Sequence, residues 1–394
     1  MITILHVIHD DKFFDSVIRQ FDSFHCENIY VILGTRGSGE YRYIKRSDRV
    51  TAIVPGSQEY KRFIRAKYDI VFIHYLTGKE RIVSDLIHRT KIVWLAWGGD
   101  FYSLIDYPLF QPMTREAIRL AEERKRSRSL ANETLKKDTK YYVRKLLRGL
   151  MKYRLTKKKV LYPVFKKIDF CSTVVPQEYS YIQKLPKFRA RQVFFTYAFD
   201  NSLTGHDLDI YGNSILVGNS RAWENNHMDI FQKLSSCEIN DLDIICPFNY
   251  GTDIEDSTSV LDFGSKLFKE RFKPMLEYLN FDEYRRKLQD CSVAVFNSNR
   301  QQALGNIILM LWQGASVYLS QVNPIYDYLK KLGICVFSIE NDLNSKHIRE
   351  RLSKSAAEEN RRIIDSHYSE DVLKSKIMTL LETVLGIKPE SLVR

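Results

Sequence analysis

No stretch of the 394-residue chain approaches the roughly 20 consecutive apolar residues of a membrane-spanning helix. The opening MITILHVIHDDKFF lacks a basic start, and its apolar run is too short for a secretory signal. A cytoplasmic protein is therefore expected, one able to lie on a membrane surface without crossing it. Cysteine is sparse. The six residues, at 26, 171, 237, 246, 291 and 335, form no CxxC pair. Cys171, Cys246, Cys291 and Cys335 lie in or beside apolar runs, where cysteine acts as a small hydrophobe. A disulfide framework and a zinc cluster are both set aside. No fixed-period repeat occurs, no apolar run leads into a complete GxGxxG or P-loop, and no RNP or KH signature is present.

Acidic excess is also missing. The net charge is +12, which favours an anionic partner: nucleotide, nucleic acid or membrane phosphate. The surplus is local. Arg115 to Lys167 holds 19 Lys and Arg against 5 Asp and Glu, a balance of +14. Within it, Tyr141 to Leu155 interleaves apolar residues at three- and four-residue steps with Arg144, Lys145, Arg148, Lys152 and Arg154. That spacing predicts an amphipathic helix with a basic face. It suits an anionic membrane surface, a solvated face on the protein core, or RNA phosphates.

The hydrophobic (44%) and charged (27%) shares are those of a globular protein, and the length favours two domains. Apolar runs at Met1 to His9, Asn28 to Leu33, Val50 to Val54, Asp69 to His74 and Lys91 to Trp97 alternate with helical spacing. Ile168 to Val175 and Val193 to Tyr197 continue the strands. This rhythm indicates βαβ units and a parallel sheet. Asp200 to Asn213 reads as a polar linker. The rhythm then restarts with strands at Ser214 to Val217, Leu242 to Cys246, Met275 to Leu279, Ser292 to Phe296, Ala315 to Leu319 and Ile334 to Phe337. A mostly helical tail follows from Glu350 to Leu385. The expected domains are 1–205, with a basic insertion at about 115–167, then 206–370, then a helical tail at 371–394.

Ligands of open α/β sheets sit at the carboxyl ends of strands. In the first half, Trp97-Gly98-Gly99-Asp100 ends one strand, His74 ends its neighbour, and His6 and His9 lie late in the first. In the second half, Ile215 to His227 reads as a buried strand, a tight loop through Gly218, Asn219 and Ser220, and a helix start after Asn225 and Asn226. A helix N-terminus there attracts phosphate, or is an ordinary βα turn. A second such junction runs from Asn297 through Arg300, Gln301, Gln302, Gly305 and Asn306. Pro247-Phe248-Asn249-Tyr250 ends a further strand. The acidic run 253–256 reads as a loop and helix cap rather than a metal site.

Four stretches, in this order, resemble glycosyltransferase family 56. They are Trp97-Gly98-Gly99-Asp100 with Phe101-Tyr102, Val217-Gly218-Asn219-Ser220 with Asn225 and His227, Phe281-Asp282-Glu283-Tyr284, and Arg300-Gln301-Gln302 with Gly305. The resemblance spans about 91–337. Arg221-Ala222-Trp223 and Ala303-Leu304 stand where that family carries glycines. It implies an α/β protein of GT-B architecture, with two Rossmann-like domains facing a cleft and a C-terminal helical tail. The family's activity is TDP-N-acetylfucosamine:lipid II N-acetylfucosaminyl transfer, in assembly of enterobacterial common antigen. The implied reaction moves a sugar from a TDP- or UDP-sugar to an undecaprenyl-diphosphate-linked acceptor. It would run at the cytoplasmic face of the bacterial inner membrane, with no metal cofactor and no nucleic-acid partner. The alternatives are another O-antigen or capsule transferase with a different donor, and a basic RNA-binding α/β protein.

The resemblance and the strand-end reading together distribute roles. Asp100 is the expected general base if the anomeric centre inverts, with His74 in reserve and Gly98, Gly99 and His9 facing the acceptor. Gly218, Asn219, Ser220, Asn226 and His227 line the donor. Pro247, Asn249, Tyr250 and Tyr278 bracket its base. Arg300, Gln301, Gln302, Gly305 and Asn306 take the diphosphate and sugar. Such fixed donors replace a metal ion in stabilising the leaving diphosphate.

Overall fold

A computed structural model describes residues 1–11, 13–34, 41–133, 161–197, 210–251 and 254–387. The chain forms two compact units. The first comprises Met1–Asp106, Lys140–Asn201 and His367–Arg394. Its strands are β1 (Ile2–Ile8), β2 (Cys26–Leu33), β3 (Val50–Ile53), β4 (Ile70–His74), β5 (Lys91–Ala96), β6 (Phe170–Thr173) and β7 (Arg191–Gln192). They pair in parallel in the order β3-β2-β1-β4-β5-β6-β7. β4 is buried along its whole length, as a two-sided parallel strand must be. One core joins Ile4, Phe14, Val17, Phe21 and Phe72 to Ile377, Leu380, Leu381 and Val384 of the helix Glu370–Leu385.

The second unit comprises Tyr107–Thr139 and Ser202–Ser366. Its strands are β8 (Ser214–Val217), β9 (Ile244–Pro247), β10 (Phe272–Met275), β11 (Cys291–Phe296), β12 (Ser316–Leu319) and β13 (Phe337–Ser338). Their order is β10-β9-β8-β11-β12-β13, again all parallel. Successive strands therefore run outward in opposite directions from the β8–β11 pair, which makes that pair the switch point where such sheets bind ligands.

The expected C-terminal helical tail is present as the helix Glu370–Leu385, and its Ile377, Leu380, Leu381 and Val384 pack in the first unit's core. Several expectations are revised. Residues from Tyr107 onward, expected within the first domain, belong to the second unit through the 22-residue helix Pro112–Glu133. The strand expected at Met275 to Leu279 ends at Met275, because its only neighbour, β9, stops at Pro247. Val193 to Tyr197 is not a strand. After β7 the Phe195 N–H goes to the Ser172 hydroxyl, 2.9 Å away, in place of a ladder partner. The basic stretch 141–155, with Arg144, Lys145, Arg148, Lys152 and Arg154, lies outside the described residues, as does most of the 200–213 linker. Among the described residues no helix is long and apolar enough to cross a membrane.

The burial of the last helix has a measurable consequence. Leu381 is wholly buried. Leu381→Ala should lower the stability of the first unit by about 2–5 kcal/mol, the cost of a core cavity. Urea unfolding followed by fluorescence measures it, and an unchanged midpoint would mean that the helix is not packed there.

Candidate functional site

At the carboxyl ends of β4 and β5, Asp100 ties two loops together. Its Oδ2 accepts from Leu76 N and Trp94 Nε1, both at 2.8 Å, and its Oδ1 accepts from Trp97 N at 3.0 Å. Gly98, in the left-handed region with φ 82°, turns the chain so that its carbonyl receives the N–H groups of Phe101 and Tyr102. Gly99 sits against Tyr75: an added Cβ would come within 3.4 Å of that ring. Asp100 is only 2% exposed. Burial raises its pKa, and the hydrogen bonds from Leu76, Trp94, Trp97 and its own backbone oppose the rise. Lys79 is buried nearby and donates to the His74 and Tyr75 carbonyls. Burial pulls its pKa down to about 8, against the pull of Asp100 and Glu80. Both oxygens of Asp100 hold the protein's own donors, which ties together the loops after β4 and β5.

His74 is likewise sealed. Its Nδ1 lies 2.8 Å from the Tyr197 hydroxyl, and its Nε2 lies 3.2 Å from His6 Nδ1. Trp97 Nε1 donates to the same Tyr197 oxygen at 2.6 Å, and His6 Nε2 lies 3.4 Å from Asn28 Oδ1. An indole N–H can only donate and an amide oxygen can only accept. The chain therefore runs in one direction: Trp97 to Tyr197, to His74, to His6, to Asn28. That order requires both imidazoles to be neutral. Burial supplies the reason, lowering the His6 pKa to about 3 and the His74 pKa well below its ordinary value. Both ring nitrogens of His74, the expected reserve base, are thus engaged within the protein.

His9 differs. It ends the same group of strands, 35% exposed, packed by Phe14, Tyr75 and Trp97. Its Nε2 stands 4.0 Å from the Asp11 carboxylate, and its Nδ1 has no partner. Burial and then the Lys79 cation lower its pKa to about 4, against Asp10 and the His74 backbone.

In the second unit the loops after β8 and β11 meet. Gly218 has φ 69°, and a Cβ there would lie 2.8 Å from His227 Nε2 and 3.0 Å from Asn225 Oδ1. Asn225 organises the loop, donating to the carbonyls of Ser220 and Ala222 and accepting from Asn219 N. Asn219 links three loops: its Nδ2 donates to the Tyr250 hydroxyl and its Oδ1 accepts from Gln302 Nε2, both at 2.9 Å. Arg300 faces Glu224 at 3.5 Å and donates to the Gln301 carbonyl. The loop after β9 joins the same group, because the Arg221 N–H and side chain donate to the Tyr250 and Phe248 carbonyls. Asn249 donates to the Glu277 carbonyl, while its Oδ1 is buried without a partner. Pro247 closes β9, and Tyr250 and Tyr278 are exposed.

Two helices open onto this group. His227–Ser235 and Leu304–Gln313 both begin at a left-handed residue, Asn226 (φ 50°) and Ala303 (φ 63°), with no side-chain cap. The first N–H groups of a helix have no partner within it. Gly305 and Asn306 lie in that first turn of the second helix. His227 is 3% exposed, yet its Nε2 has no partner, and the same is true of Gln302 Oε1. Burial lowers the His227 pKa to about 3, so the ring is neutral.

Gly218, Asn219, Ser220, His227, Arg300, Gln301 and Gln302, separated in sequence, thus come together with Tyr250. Asn226 does not join them. It is wholly buried, and its amide is taken by Gln111 N, Leu109 O and Asn297 O. Asn225 and Asn297 were named as parts of these loops without a role, and Gln111 was not foreseen. No local signal marks Gln111, whose partners lie more than a hundred residues away.

A sequence model of the family described as 4-alpha-L-fucosyltransferase, glycosyl transferase group 56, matches residues 166–375, more than half of the chain. Solved structures share the fold. Anabaena HepE in complex with UDP and glucose is 11% identical, with 97% of this chain and 100% of that chain covered and a TM-score of 0.62. Sucrose-phosphate synthase from Thermosynechococcus elongatus is 8% identical, at 98% and 100% coverage, with a TM-score of 0.61. A glycosyltransferase from Rickettsia africae is 12% identical, at 98% and 99% coverage, with a TM-score of 0.60. By its matched family and its GT-B fold, this chain belongs to glycosyl transferase group 56 and is a glycosyltransferase.

Proposed function

We propose that the second unit binds a TDP- or UDP-sugar at the ends of β8 and β11, and that the enzyme transfers the sugar to a polyprenyl-diphosphate-linked saccharide. One observation carries this reading. Two helix N-termini without side-chain caps follow the loops after β8 and β11, and in the first of them lies a buried, unpartnered His227 Nε2 beside Gly218, where a Cβ would come within 2.8 Å of it. Exposed N–H groups at helix starts favour a diphosphate. The leaving diphosphate gains charge as the glycosidic bond breaks, and donors fixed before the reaction stabilise it without reorganising. A neutral His227 donates through Nε2–H to a phosphate or sugar oxygen. Gln302 Oε1 accepts from a sugar hydroxyl, and Arg300 exchanges Glu224 for phosphate. Solved HepE complexes contain UDP and UDP-glucose, which supports a nucleotide-sugar here.

The first unit would serve the acceptor. An inverting transfer needs a base for the acceptor hydroxyl. His9 is neutral at pH 7 and partly exposed at the strand ends, so we assign it that part, with Asp100 positioning the loops around it. A soluble chain meeting a lipid-linked acceptor also needs a surface contact. The basic balance of 115–167 supports docking on anionic lipid at the cytoplasmic face of the membrane. Surface-polysaccharide assembly is the process that consumes such a product.

Four measurements test this. In a thermal-shift panel, TDP- and UDP-sugars should raise the melting temperature and GDP-sugars should not. No shift with any of them would remove the donor reading. Gly218→Ala should weaken UDP or TDP binding at least about tenfold, since the methyl group enters the His227 space and a left-handed residue costs on the order of 1 kcal/mol. His9→Gln should cut the transfer of labelled sugar into the lipid fraction by about 10²–10⁴-fold with the fold intact. Asp100→Asn should instead lower stability by about 1–3 kcal/mol, because one of its donors loses an acceptor. Wild-type turnover in His9→Gln would place the base elsewhere.

A further inference from the structure

The residues Tyr107 to Thr114 follow the loop after β5, and they are fastened within the second unit. The Tyr107 hydroxyl donates to the Asn299 and Val322 carbonyls, at 3.1 and 2.8 Å. Asn299 Nδ2 returns a bond to the Pro108 carbonyl. The Gln111 side chain donates to Asn297 Oδ1 (2.9 Å) and Asn299 Oδ1 (3.2 Å), and its own oxygen accepts from Asn297 Nδ2 (3.0 Å). Asp229, in the first turn of the His227–Ser235 helix, accepts from the backbone of Met113 and Thr114 and from the Thr114 hydroxyl, at 2.7 to 2.9 Å. That carboxylate caps the start of the helix Pro112–Glu133.

The consequence falls on Asn226. An asparagine at this position ordinarily turns its side-chain oxygen onto its own helix and satisfies one of the leading N–H groups. Here Asn226 Oδ1 accepts from Gln111 N at 2.8 Å instead, and its helix has no side-chain cap. Its Nδ2 is spent on Leu109, Glu224 and Asn297 carbonyls. Asn297 Nδ2 in turn donates to the Asn226 carbonyl at 3.2 Å, which secures the left-handed residue. The first turn of the His227 helix thus has no side-chain cap, and the unpartnered His227 Nε2 belongs to that turn.

We propose that Gln111 is a positioning residue of the donor site: its side chain, bonded to Asn297 and Asn299, fixes the Tyr107–Thr114 strap so that the strap's backbone N–H draws the capping amide of Asn226 away from its helix and keeps that N-terminus available to a nucleotide diphosphate. This deepens the donor reading given above and rests on it. The ligand class is a diphosphate ester with its charge at the β8–β11 junction. The strap makes the second unit's ligand site depend on chain that precedes it by more than a hundred residues.

The test measures UDP and TDP affinity calorimetrically on the full-length protein, well below its melting temperature. Gln111→Ala should weaken the nucleotide that wild type binds at least tenfold and raise the donor KM more than it lowers kcat. Tyr318→Phe is the control. Tyr318 is buried in the same unit and bonds His347, away from the site. Its loss should lower the melting temperature while leaving nucleotide affinity within twofold. If Gln111→Ala is too unstable to assay, Gln111→Glu supplies the same readout, since it keeps an acceptor for Asn297 and loses the two donated bonds. Wild-type nucleotide affinity in the folded Gln111 variant would overturn the proposal and leave the donor site standing. Failure of the wild-type enzyme to bind either nucleotide would overturn the donor site itself, and the proposal with it.

Discussion

Asn226 is the residue on which the second unit's architecture turns. It is wholly buried, left-handed and bonded at its side chain, its carbonyl and its N–H. A buried amide without partners is costly, so each of its bonds is effectively obligatory. Those bonds join the ends of β8 and β11 and the strap from Tyr107. The strand order makes this the junction from which the sheet grows both ways. A position that must hold three segments in register has little freedom to slide. Gly218, Asn219 and Gln302 inherit their places from it.

The two units use the same parallel-sheet plan but treat their strand-end polar groups differently. In the first, Asp100 and the Trp97–Tyr197–His74–His6–Asn28 chain are saturated. A fully satisfied polar network rigidifies its surroundings, and here it sets the posture of Trp97 and of the loop that carries Gly98 and Gly99. In the second, His227 Nε2 and Gln302 Oε1 are buried and unmatched. Leaving such groups unpaired costs stability, a cost a ligand removes on binding. The contrast explains why Asp100 and His74, which look reactive as residue types, are structural in their surroundings.

Much of the fold was legible because hydrophobic periodicity is local. The two runs of buried strands follow from apolar stretches such as Ile70 to His74 and Cys291 to Phe296, whose neighbours in sequence are turns and helices. The loop glycine at 218 and the polar run from Arg300 to Asn306 were recognisable for the same reason, each being a strand end followed by a helix start. Less legible were ends of strands set by partners. Met275 to Leu279 has strand-like residues, but β9 ends too soon to pair with them.

The sequence by itself determined the class of sheet, the approximate position of most strands, the family and the pair of loops that meet at the ends of β8 and β11. Only the tertiary structure decided what the polar side chains in those loops are bonded to. Asp100 became a structural carboxylate because Leu76, Trp94 and Trp97 converge on it. Asn226 left the ligand-facing set because Gln111, remote in sequence, occupies its amide. The C-terminal helix became part of the first core because Leu380 and Leu381 face Phe14 and its neighbours. The physical reason is common to all three. Secondary structure follows from periodicity within a few residues, whereas burial and hydrogen-bond pairing depend on groups that only folding brings within about 3 Å.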